Sequence, residues 1–76
     1  MSNNTLLRLM IRRTQHLIKQ VNEAMGVPFF FINGECGYFR FYYATDAKCE
    51  TYKLAASGKI DIEAFSKLIQ RLEALA

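Results

Sequence analysis

The side chains with chemistry to offer are few, and most of them stand apart. His16 is the only imidazole in the chain, and Cys36 and Cys49 are its only thiols. A nucleophilic cysteine needs a base close by to take its proton. Nothing in the spacing brings His16, which shares a helix face with arginines, to either thiol. There is no Cys-x-x-Cys pair and no second histidine to complete a metal site. Neither catalysis nor a cofactor is therefore expected, and a solvent-facing histidine and ordinary strand cysteines are the simplest reading. What remains is Tyr38, Arg40 and Tyr42, which alternate along one segment and so share one face of a strand. Tyrosine and arginine are the residue types enriched at binding hot spots, and the same pair can stack on unpaired bases and hold phosphates. These three residues are the best candidate site. The face they form could meet a protein, a nucleic acid or a second copy of the chain, or be shielded by the chain's own loops.

The segment that positions them runs from Phe29 to Tyr43 and holds five of the six phenylalanines and three of the four tyrosines. Such a composition suits a sheet with both faces filled. Strands are predicted over Phe29 to Asn33 and Gly37 to Ala44, joined through Gly34-Glu35-Cys36, with Asn33-Gly34 sitting where a hairpin would turn. An arginine between tyrosines prefers water or a partner. Phe39, Phe41 and Tyr43 are accordingly assigned to the core, and Tyr38, Arg40 and Tyr42 to the opposite face. Thr45-Asp46-Ala47-Lys48 supplies a turn, Cys49 to Leu54 a third strand, and Ala55 to Lys59 a loop. If that hairpin centres near Asp46, Cys49 faces Tyr43 and lies too far from Cys36 for a disulfide.

Helices flank the strands. Asn3, Asn4 and Thr5 are N-cap candidates for a helix reaching Met25. At 100° per residue, Leu6, Leu7, Met10, Ile11, Thr14, Leu17, Ile18, Val21 and Met25 gather on its buried side, with Arg8, Arg12, His16 and Lys19 opposite. Leu9 falls in the polar arc between Arg12 and Arg13, the position of an interface anchor if it has any role. Gly26 ends the helix in the left-handed conformation, Val27 is placed for a Schellman contact, and Pro28 forbids continuation. Asp61 caps the last helix, with Ile60 and Phe65 in staple positions and Ile62, Phe65, Leu68, Ile69, Leu72 and Leu75 as its buried stripe. The fold expected over residues 1–76 is one α+β domain of order αβββα, a three-stranded antiparallel meander with both helices on one face.

The balance of the composition points to binding. The chain is 51% hydrophobic and 13% aromatic, more than so short a core requires, which leaves apolar surface for a partner. Net charge is +3, and all of it rides on the first helix, where Arg8, Arg12, Arg13 and Lys19 face Glu23 alone. A basic helix steers acidic or phosphate-bearing partners, although a merely solvated face is as simple. No leader or membrane span is expected, and a reduced, cytoplasmic setting follows from the two unpaired thiols.

Two resemblances add to this reading. The helix–strand order and the Gly26-Val27-Pro28-Phe29 junction resemble a double-stranded RNA-binding domain, whose first helix commonly ends in a Gly-x-Pro segment. That family holds phosphate through lysines at the start of its last helix, where this chain reads Ser57-Gly58-Lys59-Ile60-Asp61-Ile62-Glu63-Ala64, with one lysine against two acids that would repel phosphate. The layout, with Gly37-Tyr38-Phe39-Arg40 in an aromatic strand, also resembles small orphan proteins of phages and prophages, anti-CRISPRs among them. That second resemblance implies a non-enzymatic inhibitor occupying a surface of a host nucleic-acid-handling complex. On this view Tyr38, Arg40 and Tyr42 are the anchors, Arg8, Arg12 and Lys19 steer, and Leu9 adds an apolar contact. Duplex nucleic-acid binding through the first helix and a homodimeric structural subunit are the alternatives.

Overall fold

A computed structural model describes residues 3–75. Helix α1 (Asn3–Met25) leads into strands β1 (Phe30–Glu35), β2 (Tyr38–Ala44) and β3 (Tyr52–Lys59), and helix α2 (Ile62–Leu75) closes the chain. The strands form one antiparallel sheet in the order β1-β2-β3, and both helices cover one of its faces. This is the αβββα architecture expected from the sequence.

Side-chain parity divides the sheet cleanly. On the inner face the cross-strand rows are Phe30-Tyr43-Lys53, Ile32-Phe41-Ala56 and Gly34-Phe39-Gly58. Phe39 and Phe41 are buried and join Leu17, Ile18, Phe65, Leu68 and Leu72 in the core. Phe39 is flanked by glycines on both neighbouring strands, and its Cε1 lies 3.7 Å from where a Gly58 Cβ would be. The bare backbones leave room for the ring, which reaches Phe65 of α2 at a centroid distance of 5.2 Å. Phe30 stacks on Phe41 at 5.2 Å. Burying such a cluster is the main stabilising term for a small domain, at roughly 1.5–3 kcal/mol per large apolar side chain.

α1 buries Thr14, Leu17, Ile18 and Val21. Thr14 satisfies its hydroxyl by donating to the Met10 carbonyl at 2.8 Å, so a polar residue costs the core little. Leu6 and Met25, expected on the buried side, are exposed because they lie at the two ends of a helix longer than the sheet it covers. α1 already includes Asn3, Asn4 and Thr5, so its cap lies outside the described residues. Gly26 has φ 75° and donates its N–H to the carbonyls of Asn22 and Glu23, which ends the helix as expected. At the other helix Asp61 Oδ1 accepts the Ala64 N–H at 2.8 Å, an N-cap in the expected place. Leu75 overshoots the core and is 61% exposed.

Three strand expectations are corrected. The first hairpin turns at Cys36-Gly37, both with positive φ (53° and 78°), as a two-residue type I′ loop requires; Asn33 and Gly34 are paired strand residues opposite Arg40 and Phe39. β3 begins at Tyr52 and not at Cys49, and the segment expected as a loop, Ala55 to Lys59, is strand. Residue Ala55 is extra on that strand, a β-bulge between the Phe41-Ala56 and Tyr42-Leu54 pairs. Tyr43 accordingly faces Lys53, while Cys49 sits in the β2-β3 loop at positive φ. Both thiols are free, as expected.

Candidate functional site: the open face of the sheet

The side of the sheet away from the helices carries Phe31, Asn33 and Glu35 from β1, Tyr38, Arg40 and Tyr42 from β2, and Tyr52, Leu54, Ser57 and Lys59 from β3. The orientation expected for Tyr38, Arg40 and Tyr42 is the one found. None of the described elements covers this face: Tyr38 is 55% exposed, Leu54 47% and Phe31 37%.

Two regions differ in chemistry. Toward the β2-β3 loop, Phe31 stacks on Tyr42 with ring centroids 4.6 Å apart, and Tyr52 meets Phe31 edge-on at 4.7 Å. Leu54 pairs with Tyr42 on its other side, so an apolar strip crosses all three strands. Aromatic pairs of this geometry contribute roughly 0.5–1.5 kcal/mol beyond area burial, and they hold the rings in place before anything binds. Tyr52 is fixed further by its hydroxyl, which donates to the Pro28 carbonyl at 2.6 Å. The loop beneath it is tied by Asp46 Oδ1, which accepts from the N–H groups of Glu50 and Thr51. Desolvation holds the Tyr52 phenol above its ordinary value, with Cys49 and Asp46 adding to the shift.

Toward the Cys36-Gly37 turn the face is polar. Glu35, Tyr38 and Lys59 form one cross-strand row and Asn33, Arg40 and Ser57 the next. Asn33, Glu35, Cys36, Tyr38 and Arg40 line a shallow depression of about 380 Å³. Among the described residues the Arg40 guanidinium is in no ion pair; the one salt bridge joins Lys67 to Glu63 on the exposed side of α2. A partner carboxylate or phosphate can therefore reach Arg40 without displacing an internal partner, and a guanidinium holds such groups in bidentate fashion.

Phe31, Tyr52 and Leu54 belong to this face and were missed by sequence reasoning. For Phe31 the cause is register. A turn at Gly34-Glu35-Cys36 sets it opposite Phe39 on the inner side, and the actual turn reverses its parity.

The other candidates lie elsewhere. Arg8, Arg12 and Lys19 are exposed on α1, on the helical side of the molecule and not beside Tyr38 and Arg40. Lys19 alone of the three lines a cavity together with an outer-face residue, Phe31. Leu9 is 47% exposed on the part of α1 that points away from the sheet. His16 is exposed on the same helix, Cys36 sits at one hairpin tip and Cys49 in the loop at the other end of β2. No group of metal-ligating side chains is assembled among the described residues, nor is any described helix long and apolar enough to cross a membrane. Compared with known protein families, characterised proteins and solved structures, the chain matches none.

Proposed function

We propose that the protein is a non-enzymatic binding module that docks a partner protein on the open sheet face and acts by occupying that partner's surface. The reading rests above all on the Phe31-Tyr42-Leu54 strip, an ordered, solvent-facing set of aromatic and aliphatic side chains next to the unpaired Arg40. A rigid apolar centre with a polar rim is the composition of a protein-binding hot spot. A standard interface takes about 800 Å² from each partner, which on a chain with 5440 Å² of surface commits most of one face. An inhibitor of a host nucleic-acid-handling complex, in the manner of the small phage proteins this layout resembles, is a function such a face can perform with no chemistry of its own.

Duplex RNA binding has less behind it. The start of α2 carries Asp61 at its cap and Glu63 in its first turn, acids that oppose phosphate where the resembling family needs lysine.

The test is paired substitution on the sheet. Tyr38→Ala with Tyr42→Ala is expected to abolish capture of the partner while leaving circular dichroism unchanged, since neither side chain is buried. Unaltered capture rejects the site. Retardation of duplex RNA at micromolar protein in low salt favours the nucleic-acid reading, and light scattering at twice the chain mass favours a self-associating subunit.

A further inference from the structure

The free edge of β1 carries a second binding feature, distinct from the open face. Ala44 donates its N–H to the Phe29 carbonyl, and the direction of main-chain groups alternates along a strand. Phe31, Asn33 and Glu35 thus bond to β2, whereas Phe30, Ile32 and Gly34 point their N–H and C=O groups away from the sheet. At Phe30 both groups are taken: its N–H donates to Asn22 Oδ1 and its carbonyl accepts from Asn22 Nδ2, each at 2.9 Å. The side-chain amide stands where a neighbouring strand would. Among the described residues nothing stands in this way at Ile32 or Gly34.

That edge opens into a groove between β1 and α1. Gln15, Ile18, Asn22 and Ile32 border a cavity of about 730 Å³, and Gln15 and Ile32 also border a smaller one of about 100 Å³ that continues past Ile11 and Gly34. The two run together along the strand. Arg8, Arg12, Gln15 and Lys19 follow one another at i, i+4, i+7 and i+11, so they form a single row on the helix. Gln15 and Lys19 line the groove, and Arg8 and Arg12 lie on the same row of the helix, toward its N-terminal end. Glu23 lines the same larger cavity, with Gly26, Val27 and Pro28, at the end where Asn22 occupies Phe30, so this acid sits at the opposite end of the groove from Gly34.

The opposite edge of the sheet is built differently. β3 carries the Ala55 bulge and Lys53 and Lys59, devices that discourage strand addition, and the cleft between it and α2 has mixed charge from Asp61, Glu63, Lys67 and Arg71.

We infer that the groove between α1 and β1 takes an extended, acidic segment of a partner protein as a fourth strand. Its main chain pairs with Ile32 and Gly34, and the side chains on the one face that its pleat turns toward α1 place apolar groups on the floor and carboxylates against Arg8, Arg12 and Lys19. Strand addition draws affinity from main-chain hydrogen bonds and specificity from such pockets. The basic rim decides which strands are accepted. The site does not depend on the open face being functional.

The probe is a short acetylated peptide with serine at every second residue and glutamate and valine taking turns between them, so that both face α1 together, titrated into ¹⁵N-labelled protein. The amides of Ile32 and Gly34 are expected to shift and to exchange more slowly, while those of Phe31 and Asn33, already bonded to β2, change little. The same peptide N-methylated at alternate residues fails to bind. Arg12→Glu with Lys19→Glu, both at exposed positions, weakens binding by about tenfold or more with unchanged circular dichroism. Tyr38→Ala with Tyr42→Ala leaves binding intact, which separates this site from the open face. The inference is overturned by no shift at Ile32 and Gly34 up to about 1 mM peptide, by shifts centred on Arg40 and Tyr42, or by binding that survives N-methylation or charge reversal. It is equally overturned if an oligonucleotide of the same charge moves those amides more strongly than the peptide does.

Discussion

Asn22 and Phe30 are joined by a closed pair of hydrogen bonds, one in each direction, with both donor–acceptor distances 2.9 Å. A side chain of α1 thereby fixes where β1 starts and how far from the helix it runs. The groove beside β1 and the tilt of the open face both inherit that spacing.

Removing this clamp leaves two half-buried main-chain groups without partners. Asn22→Ala is expected to lower unfolding free energy by about 1–3 kcal/mol. Asn22→Asp, which retains an acceptor but sets a charge against the Phe30 carbonyl, is expected to be no better. Urea denaturation measures both, and an alanine variant within about 0.5 kcal/mol of wild type contradicts the role given to the pair.

The Cys36-Gly37 turn places a non-glycine residue at φ 53°. Asparagine or glycine tolerates that conformation better, so Cys36→Asn or Cys36→Gly is expected to raise stability by about 0.5–1 kcal/mol. Gly37→Ala is expected to lower it by about 1 kcal/mol. Thermal melts of the three variants check the turn assignment, and a neutral Gly37→Ala counts against it.

Leu72 and Leu75 lie one turn apart on α2 but differ fully in burial, 1% against 61% exposed. Leu72→Ala is expected to cost about 2–5 kcal/mol, and Leu75→Ala to stay within about 0.5 kcal/mol. Equal losses would place the end of α2 against the core.

Tyr52 gives the fold an alkaline limit. Its phenol titrates above the ordinary value of 10.0 in the folded chain, so the folded state resists losing that proton. The resulting stability is fully present below pH 10.0 and is lost as pH rises through the folded-state value. Tyr52→Phe is expected to be less stable at neutral pH, through loss of the bond to Pro28, and to show a shallower decline above pH 10.0. Denaturation across pH 7 to 11 distinguishes the two slopes; parallel curves contradict the assignment.

Element order and the outward face of β2 were legible in the sequence because a single charge decides parity. Arg40 among aromatics points to water, and Phe39 and Phe41 follow inward. Helix boundaries were legible where a residue has one local use, as Gly26 and Asp61 do. The hairpin was not, because Asn33-Gly34 is a strong local turn signal that longer-range pairing overrides. A tight turn there would set Ile32 opposite Glu35 and deprive Phe41, Tyr42 and Tyr43 of partners on β1. Turning at Cys36-Gly37 instead pairs Phe30 with Tyr43, Phe31 with Tyr42 and Ile32 with Phe41, and cross-strand pairs of large side chains outweigh a modest turn preference. The second half of β3, Ala55 to Lys59, has weak strand propensity of its own and is held by pairing to β2. Leu54 and Tyr52 could be placed on the open face only once that pairing and its bulge were known.

Hydroxyl-radical footprinting of the protein alone and in complex with its captured partner tests the open face most directly. Protection is expected at Phe31, Tyr38, Tyr42 and Leu54, with Leu9 and Leu75 reacting as they do in the free chain. Protection confined to α1 and α2, with those four side chains still fully reactive in the complex, contradicts the account.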